Sequence, residues 1–130
     1  MSIAGIGIDL VEIPRLERVI SRWGERISRR LFTDKERESC SARARPGQCL
    51  AGSLAAKEAF FKALGTGKAH GMAWKEVEVE RQEGTPPAIR MSGRTEEIFK
   101  AKGMGKIWLS LSHEGCWSIA MVVIDREARD

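Results

Sequence analysis

Residues Ile3 to Leu10 read Ile-Ala-Gly-Ile-Gly-Ile-Asp-Leu, a short apolar, β-branched run with Gly5 and Gly7 interleaved. Such a run is a strand. Its glycines mark it as a buried one, because a residue without a side chain lets another backbone approach closely. The strand closes on Asp9, directly after Ile8. A carboxylate there is expensive to bury unless it has a partner. Two readings follow: Asp9 caps the next helix or lies in a surface turn, or it is a metal ligand.

The remaining chain sets the scale of what this strand can join. At 130 residues it suits one domain spanning 1–130, with a real core and a limited stability margin that oligomerisation would extend. No apolar run approaches the roughly eighteen residues that cross a bilayer. The N-terminus lacks a basic region followed by an apolar stretch, so no secretory signal is visible and the expected setting is cytoplasmic. The cysteines are Cys40, Cys49 and Cys116. An odd count without close pairing argues against a disulfide framework or a zinc site and predicts free thiols. The net charge of +4 favours anionic partners without choosing among them.

Beyond the first strand, Pro14 opens a helix on which Leu16, Val19, Ile20 and Trp23 recur at helical spacing, with Gly24 at its end. A polar segment follows. Thr33 caps a second helix from Asp34, with Glu36 completing a capping box. Arg45-Pro46-Gly47 is a break. Gln48 to Leu64 is an alanine-rich helix, with Leu50, Leu54, Phe61 and Leu64 on one side and Gly65 as a left-handed cap. Val77 and Val79 alternate with glutamates in a half-exposed strand, and Ala88 to Met91 returns from a turn over Gly84 to Pro87. Ser92 to Lys102 is a short amphipathic helix. Two strands, Lys106 to Ser112 and Trp117 to Ile124, form a hairpin through His113, Glu114, Gly115 and Cys116. Arg126 to Asp130 reads as a tail.

Several side chains carry possible chemistry, each with a plainer alternative. Glu58 lies one turn after Leu54 among Ala55, Ala56, Ala59, Phe60 and Phe61. It either pairs with Lys62 at i,i+4 on an exposed face or faces inward. With Asp9, it would then hold a hard cation such as Mg²⁺, which takes one or two protein carboxylates and fills its shell with water and phosphate. Gly65, Thr66 and Gly67, followed by Lys68, terminate a helix or cradle phosphate through backbone N–H groups; the P-loop spacing is absent. Ser112 and His113 are ordinary polar hairpin residues or phosphate contacts. Arg15, Arg18 and Arg22 form a stripe opposite the apolar face of their helix, either solvated or a docking face for an acidic partner. His70 has no evident companion.

Taken together these segments resemble the holo-acyl carrier protein synthase family, the short single-unit type of 4′-phosphopantetheinyl transferase. Gly5-Ile6-Gly7-Ile8-Asp9-Leu10-Val11-Glu12 is similar to the family's opening, and Ala55-Ala56-Lys57-Glu58-Ala59-Phe60-Phe61-Lys62-Ala63-Leu64-Gly65-Thr66-Gly67 to its central signature. Leu109-Ser110-Leu111-Ser112-His113-Glu114 resembles its C-terminal hairpin, and Gly71 and Trp74 to Val79 match in spacing and type. The resemblance covers nearly the whole chain. It implies an α+β fold with an antiparallel sheet flanked by helices, assembled as a homotrimer with clefts between neighbours. It also implies transfer of 4′-phosphopantetheine from coenzyme A to a serine of apo-acyl carrier protein, releasing adenosine 3′,5′-bisphosphate, in fatty acid biosynthesis.

The resemblance assigns roles as well. Asp9 and Glu58 would bind Mg²⁺ together with the coenzyme pyrophosphate, whose charge Lys62 would neutralise. Gly65, Thr66 and Gly67 would approach the nucleotide end, and Ser112 and His113 the region near the 3′-phosphate. Arg15, Arg18 and Arg22 would meet the acidic recognition helix of the carrier protein. Glu58 or a water would take the serine proton. One departure stands out: the Arg-Phe that commonly precedes Ala-Ala-Lys-Glu is here Ser53-Leu54. The lost charge leaves the 3′-phosphate contacts to Ser53 as a hydrogen-bonding group or to another basic residue. Three rivals are a transferase acting on carrier domains of larger synthases, a basic nucleic-acid-binding protein, and a carrier-protein-binding scaffold without catalysis, against which the intact Asp9, Glu58 and Lys62 argue. The second has no recognisable module and too few aromatics for base stacking.

Overall fold

The centre of the fold follows from one helix of unusually small residues. The computed structural model describes residues 2–128. Its first strand, β1 (Ile3–Glu12), leads into α1 (Ile13–Trp23), α2 (Glu25–Leu31), α3 (Asp34–Ser41) and the long α4 (Pro46–Leu64). A single 3-10 turn, Trp74–Glu76, precedes the hairpin of β2 (Val77–Glu80) and β3 (Ala88–Met91). Then come α5 (Gly93–Ala101), β4 (Met104–Glu114) and β5 (Trp117–Arg126).

β1, β5 and β4 form an antiparallel sheet in that order, and β2 with β3 forms a second, two-stranded one. Helix α4 lies on one face of the larger sheet. Its Ala51, Ala55, Ala56, Ala59 and Ala63 are buried, which lets neighbouring backbones come close. Gly5 and Gly7 of β1 are the complement. A Cβ on either would stand 1.8 Å from a carbonyl oxygen, that of Ala63 for Gly5 and of Ala59 for Gly7. Above and below this seam, Phe60, Phe61 and Phe99 pack with Val77, Val79, Met104 and the inward Ala120, Val122 and Ile124 of β5. Phe60 meets Phe61 edge-on at 5.7 Å between ring centroids and stacks on Phe99 at 6.2 Å, the offset geometries aromatic pairs favour. A smaller cluster of Ile13, Leu16, Phe32 and Ala51 seats α1.

The other face of the larger sheet is bare. The register aligns Ile8 with Met121 and Ser110, and Ile6 with Val123 and Trp108. Ile6, Ile8, Leu10, Trp108 and Met121 are all exposed on it. A contiguous apolar face of this kind marks a contact surface.

Local signals held where chemistry at a single turn decides the outcome. Thr33 Oγ1 accepts from Glu36 N at 3.2 Å and Thr33 N donates to Glu36 Oε1 at 2.9 Å, the expected capping box. Gly65 ends α4 at φ 89°. Five expectations change. Pro46 and Gly47, expected in a break, open α4, with Pro46 in the first turn where its missing N–H costs nothing. The polar segment after Gly24 contains α2, whose charged sequence buries no residue and so shows no apolar period. His113 and Glu114 remain in β4, paired with Ser118 and Trp117, so the hairpin turn is only Gly115-Cys116. Gly115 supplies the positive φ that a two-residue turn needs. Of the expected tail, Arg126 belongs to β5, while residues 129–130 lie outside the described residues. Finally, Cys40 and Cys49 are joined as a disulfide with Cα atoms 5.4 Å apart, and only Cys116 is free. Sequence spacing hid this pair, because the break before Pro46 turns the chain and brings the end of α3 against the start of α4.

Candidate active site

The glycine seam places the site. Two residues of strand advance about 6.6 Å and four of helix about 6.0 Å, so β1 and α4 stay in step where Gly5 meets Ala63 and Gly7 meets Ala59. The next inward residue of β1 is Asp9, which therefore arrives beside the Ala55–Glu58 turn of α4. A side chain is tolerated there because it is polar and has a partner. Lys62 Nζ donates to Asp9 Oδ1 at 2.7 Å and to the Ile8 carbonyl at 3.0 Å. The cap reading of Asp9 does not hold: the N-cap of α1 is Glu12, without a side-chain cap bond.

Glu58 completes the cluster. Its carboxyl is half-buried and is raised to about 7, first by burial, then by a hydrogen bond to Asp9 and by the Asp9 charge, with Lys62 opposing. Lys62 is correspondingly held above the ordinary lysine value, chiefly by its hydrogen bond to Asp9. The i,i+4 reading of Glu58 and Lys62 thus gives way to a lysine that crosses to the strand. Asp9 is only 12% exposed at its side chain, and its Oδ2 is buried without a hydrogen-bond partner. Two crowded carboxylates, one with a vacant oxygen, have the character of a hard-cation site. No group of three or more His, Cys, Asp or Glu side chains able to hold a metal occurs among the described residues. Any such cation would take the rest of its shell from water or a ligand.

The other predicted residues divide between the two ends of α4. At its C-terminus, Gly65 N donates to Lys62 O and Gly67 N to Phe61 O. These N–H groups close the helix, which supports the terminator reading. Thr66 Oγ1 donates to the Gly67 carbonyl at 2.8 Å, and open space lies over the Gly67 Cα. At the N-terminus, Ser112 and His113 border a cavity of about 610 Å³ with Arg43, Arg45, Arg81 and Cys49. From Gln48 to Gly65 the helix axis covers about 26 Å at 1.5 Å per residue. Within one chain, Ser112 and His113 therefore do not meet Gly65, Thr66 and Gly67. Arg15, Arg18 and Arg22 are exposed along α1. Arg18 lies 3.6 Å from Glu12, and Arg22 covers the ring of Trp23 at 5.2 Å.

Two residues that the sequence reading passed over matter here. Arg81, just after β2, donates from Nη1 to Ser53 Oγ at 2.8 Å and from Nη2 to the Cys49 carbonyl at 3.0 Å. An arginine side chain thus reaches position 53 from just beyond β2, with the Ser53 hydroxyl as its acceptor. Lys57 is fully buried, with Nζ 2.6 Å from Glu36 Oε1 and 3.0 Å from the Trp74 carbonyl. Glu36 also accepts from Val79 N at 2.9 Å, so one pair ties α3, α4 and β2 together. Spacing could have signalled the burial of Lys57, though not its partner: it precedes Phe61 and Leu64 by four and seven residues on the buried side of α4.

The chain is similar to known proteins along nearly its whole length. Residues 5–119 match the family model described as the 4′-phosphopantetheinyl transferase superfamily. The holo-[acyl-carrier-protein] synthase of Geobacter sp. (strain M21) is 41% identical over 124 residues, covering 95% of this chain and 99% of that protein. In three dimensions the chain is similar to the holo-[acyl-carrier-protein] synthase of Neisseria meningitidis. The TM-score is 0.87 at 28% identity, over 95% of this chain and 99% of that one. The Helicobacter pylori enzyme, solved in complex with coenzyme A, gives a TM-score of 0.81 at 28% identity over 92% and 99%. With the glycine seam, the paired carboxylates and the crossing lysine in place along the same span, the chain belongs to the 4′-phosphopantetheinyl transferase superfamily.

Proposed function

We propose that the 130-residue chain acts as a single transferase unit whose working centre is Asp9, Glu58 and Lys62. It transfers the 4′-phosphopantetheine group of coenzyme A to a serine of apo-acyl carrier protein, giving holo-acyl carrier protein and adenosine 3′,5′-bisphosphate. The observation that carries the assignment of the centre is the buried, unpartnered Asp9 Oδ2 beside Glu58, whose carboxyl burial raises to about 7.

Phosphoryl transfer needs positioning and charge neutralisation more than a covalent enzyme intermediate. Asp9 and Glu58 fit Mg²⁺, which when bound supplies Lewis-acid charge against the coenzyme pyrophosphate. Lys62 is more than half exposed at its side chain and keeps its proton, so it is free to swing from Asp9 to an entering phosphate and neutralise it. Glu58, beside Asp9 and Lys62, is the carboxylate proposed to take the proton of the attacking serine. The bare Cα atoms of Gly65 and Gly67 with Thr66 leave room for the coenzyme chain.

The cavity between Arg43, Arg45, Arg81, Ser112 and His113 is the proposed seat of the adenosine 3′-phosphate, with Arg81 in the part expected of an arginine at position 53. Its separation from Gly65–Gly67 within one chain supports a cleft built between protomers, and the apolar outer face of the sheet supports a homotrimer that provides one. Arg15, Arg18 and Arg22 present an exposed positive stripe to the acidic carrier protein. The reaction belongs to fatty acid biosynthesis, in the cytoplasm. No helix among the described residues is long and apolar enough to cross a membrane. Asp9→Ala tests the centre: turnover of apo-acyl carrier protein with coenzyme A and Mg²⁺ should fall at least a hundredfold, on the scale of removing a positioned charge. Near-normal turnover would contradict the assignment.

A further inference from the structure

The 3′-phosphate cavity carries a feature that the transfer reaction does not require. Cys49 is on its wall, bonded to Cys40, and both are buried. The disulfide closes the chain between the last turn of α3 and the first turn of α4. The intervening segment holds two of the cavity's three arginines, Arg43 and Arg45, both exposed. Each end of that segment is pinned at a cysteine: Arg43 N donates to Cys40 O at 3.1 Å and Cys49 N to Arg45 O at 3.2 Å. The third arginine touches the sulfurs directly, with Arg81 Nη1 3.0 Å from Cys49 Sγ and 3.5 Å from Cys40 Sγ.

Arg81 is a cation held by neutral groups. Its contacts are the two sulfurs, the Ser53 hydroxyl and the Cys49 carbonyl. No carboxylate lies within ion-pair distance of it among the described residues. Burial, and then the charge of Arg43, lower its pKa to about 10, with Glu36 opposing. It remains protonated at neutral pH, and its positive charge is available to a phosphate entering the cavity. A disulfide sulfur is a weak neutral acceptor and leaves that charge uncompensated. A cysteine thiolate at the same place would be a full counter-ion.

We propose that Cys40–Cys49 is a reversible disulfide that sets the anion affinity of this cavity, with the oxidised form binding the phosphate of its ligand more tightly. The inference rests on the cavity's assignment to the 3′-phosphate end of coenzyme A. Reduction uses a low-molecular-weight thiol. Its thiolate attacks Cys49 Sγ, the sulfur on the cavity wall, the S–S bond breaks, and Cys40 leaves as a thiolate that takes up a proton. A second small thiolate then attacks the mixed disulfide on the small-molecule sulfur and releases Cys49 as a thiolate. Two small thiols become one small disulfide, and the two electrons they lose reduce the protein disulfide to two cysteines. Cys49 is then a partner for Arg81 in competition with phosphate, and the Arg43–Arg45 segment loses its cross-link. Oxidation by a small-molecule disulfide runs the same exchanges in reverse. Because ligand and thiol reach Cys49 through one cavity, bound ligand protects the disulfide.

The test uses Cys116→Ser, which removes the exposed third thiol, oxidised with glutathione disulfide or reduced with dithiothreitol. Thiol counting should give none and two. Calorimetric titration with adenosine 3′,5′-bisphosphate should weaken by roughly fivefold or more on reduction, the lower end of typical coupling between two sites. The KM for coenzyme A should rise with kcat little changed. A further Cys40→Ser, Cys49→Ser variant should bind equally under both conditions, and the ligand should slow reduction of the disulfide. Two free thiols persisting after oxidation would overturn the proposal, as would equal affinity in the two states. No ligand binding in either state would instead refute the cavity's assignment and the proposal with it, whereas loss of transfer activity alone with a redox-dependent affinity would refute only the reaction.

Discussion

At the scale of single residues, the site turns on how α4 and β1 force acidic groups together. Asp9 and Glu58 were legible because each is a charge set in an apolar run. Their crowding and the reach of Lys62 to Asp9 were not, since both depend on the register that Gly5 and Gly7 set against Ala63 and Ala59. The crowding has a pH consequence. Glu58 has an ordinary carboxyl value of 4.5 when the chain is unfolded and about 7 when folded. A carboxyl raised in this way favours the fold in its protonated form. Its contribution is complete below about 4.5 and is lost as the pH rises through about 7. In metal-free protein, the Glu58 carboxyl followed by carbon NMR should therefore titrate near neutrality. Asp9→Asn, which removes the Asp9 charge, should lower its midpoint, as should Mg²⁺. A midpoint in the ordinary carboxylate range without metal would contradict the geometry described here.

Among the secondary-structure elements, several helix ends and the alternation in β2 were readable from local chemistry. Thr33, Gly24 and Gly65 mark their turns whatever surrounds them. The short α2 was not readable, because charged residues that bury nothing leave no period to find. Nor was the Glu36–Lys57 pair. Glu36 was visible as the far half of a capping box, but one carboxylate also satisfies Lys57 and the Val79 amide, and that convergence is tertiary. Lys57 has its pKa lowered by burial, against the opposing pull of Glu36. Lys57→Met should cost about 3–5 kcal/mol, because it leaves a buried carboxylate without its counter-ion. Adding Glu36→Gln should recover part of that loss. Urea unfolding of the three proteins measures both, and a double variant no more stable than the single one would show that the pair is not a unit.

For the whole molecule, the resemblance anticipated the α+β layering, and solved relatives share it. The cysteines misled because pairing depends on where chain reversals fall, not on spacing. Ser112 and His113, expected as coenzyme contacts, border the cavity at the start of α4, a helix length away from Gly65–Gly67, so one chain does not complete the proposed coenzyme path. In a trimer with shared clefts, mixing two inactive variants, Asp9→Ala and His113→Ala, should restore measurable activity, because some interfaces then join an intact centre to an intact cavity. No recovery in mixtures confirmed as mixed trimers would place the whole path within one protomer.

The transfer itself is tested most directly by intact-mass measurement of apo-acyl carrier protein after incubation with this protein, coenzyme A and Mg²⁺, alongside an EDTA control. The predicted result is a gain of one phosphopantetheine group on the carrier serine that EDTA abolishes. An unchanged carrier mass would contradict the transfer, and a gain that persists in EDTA would contradict the role given to Asp9 and Glu58 as holders of a divalent cation.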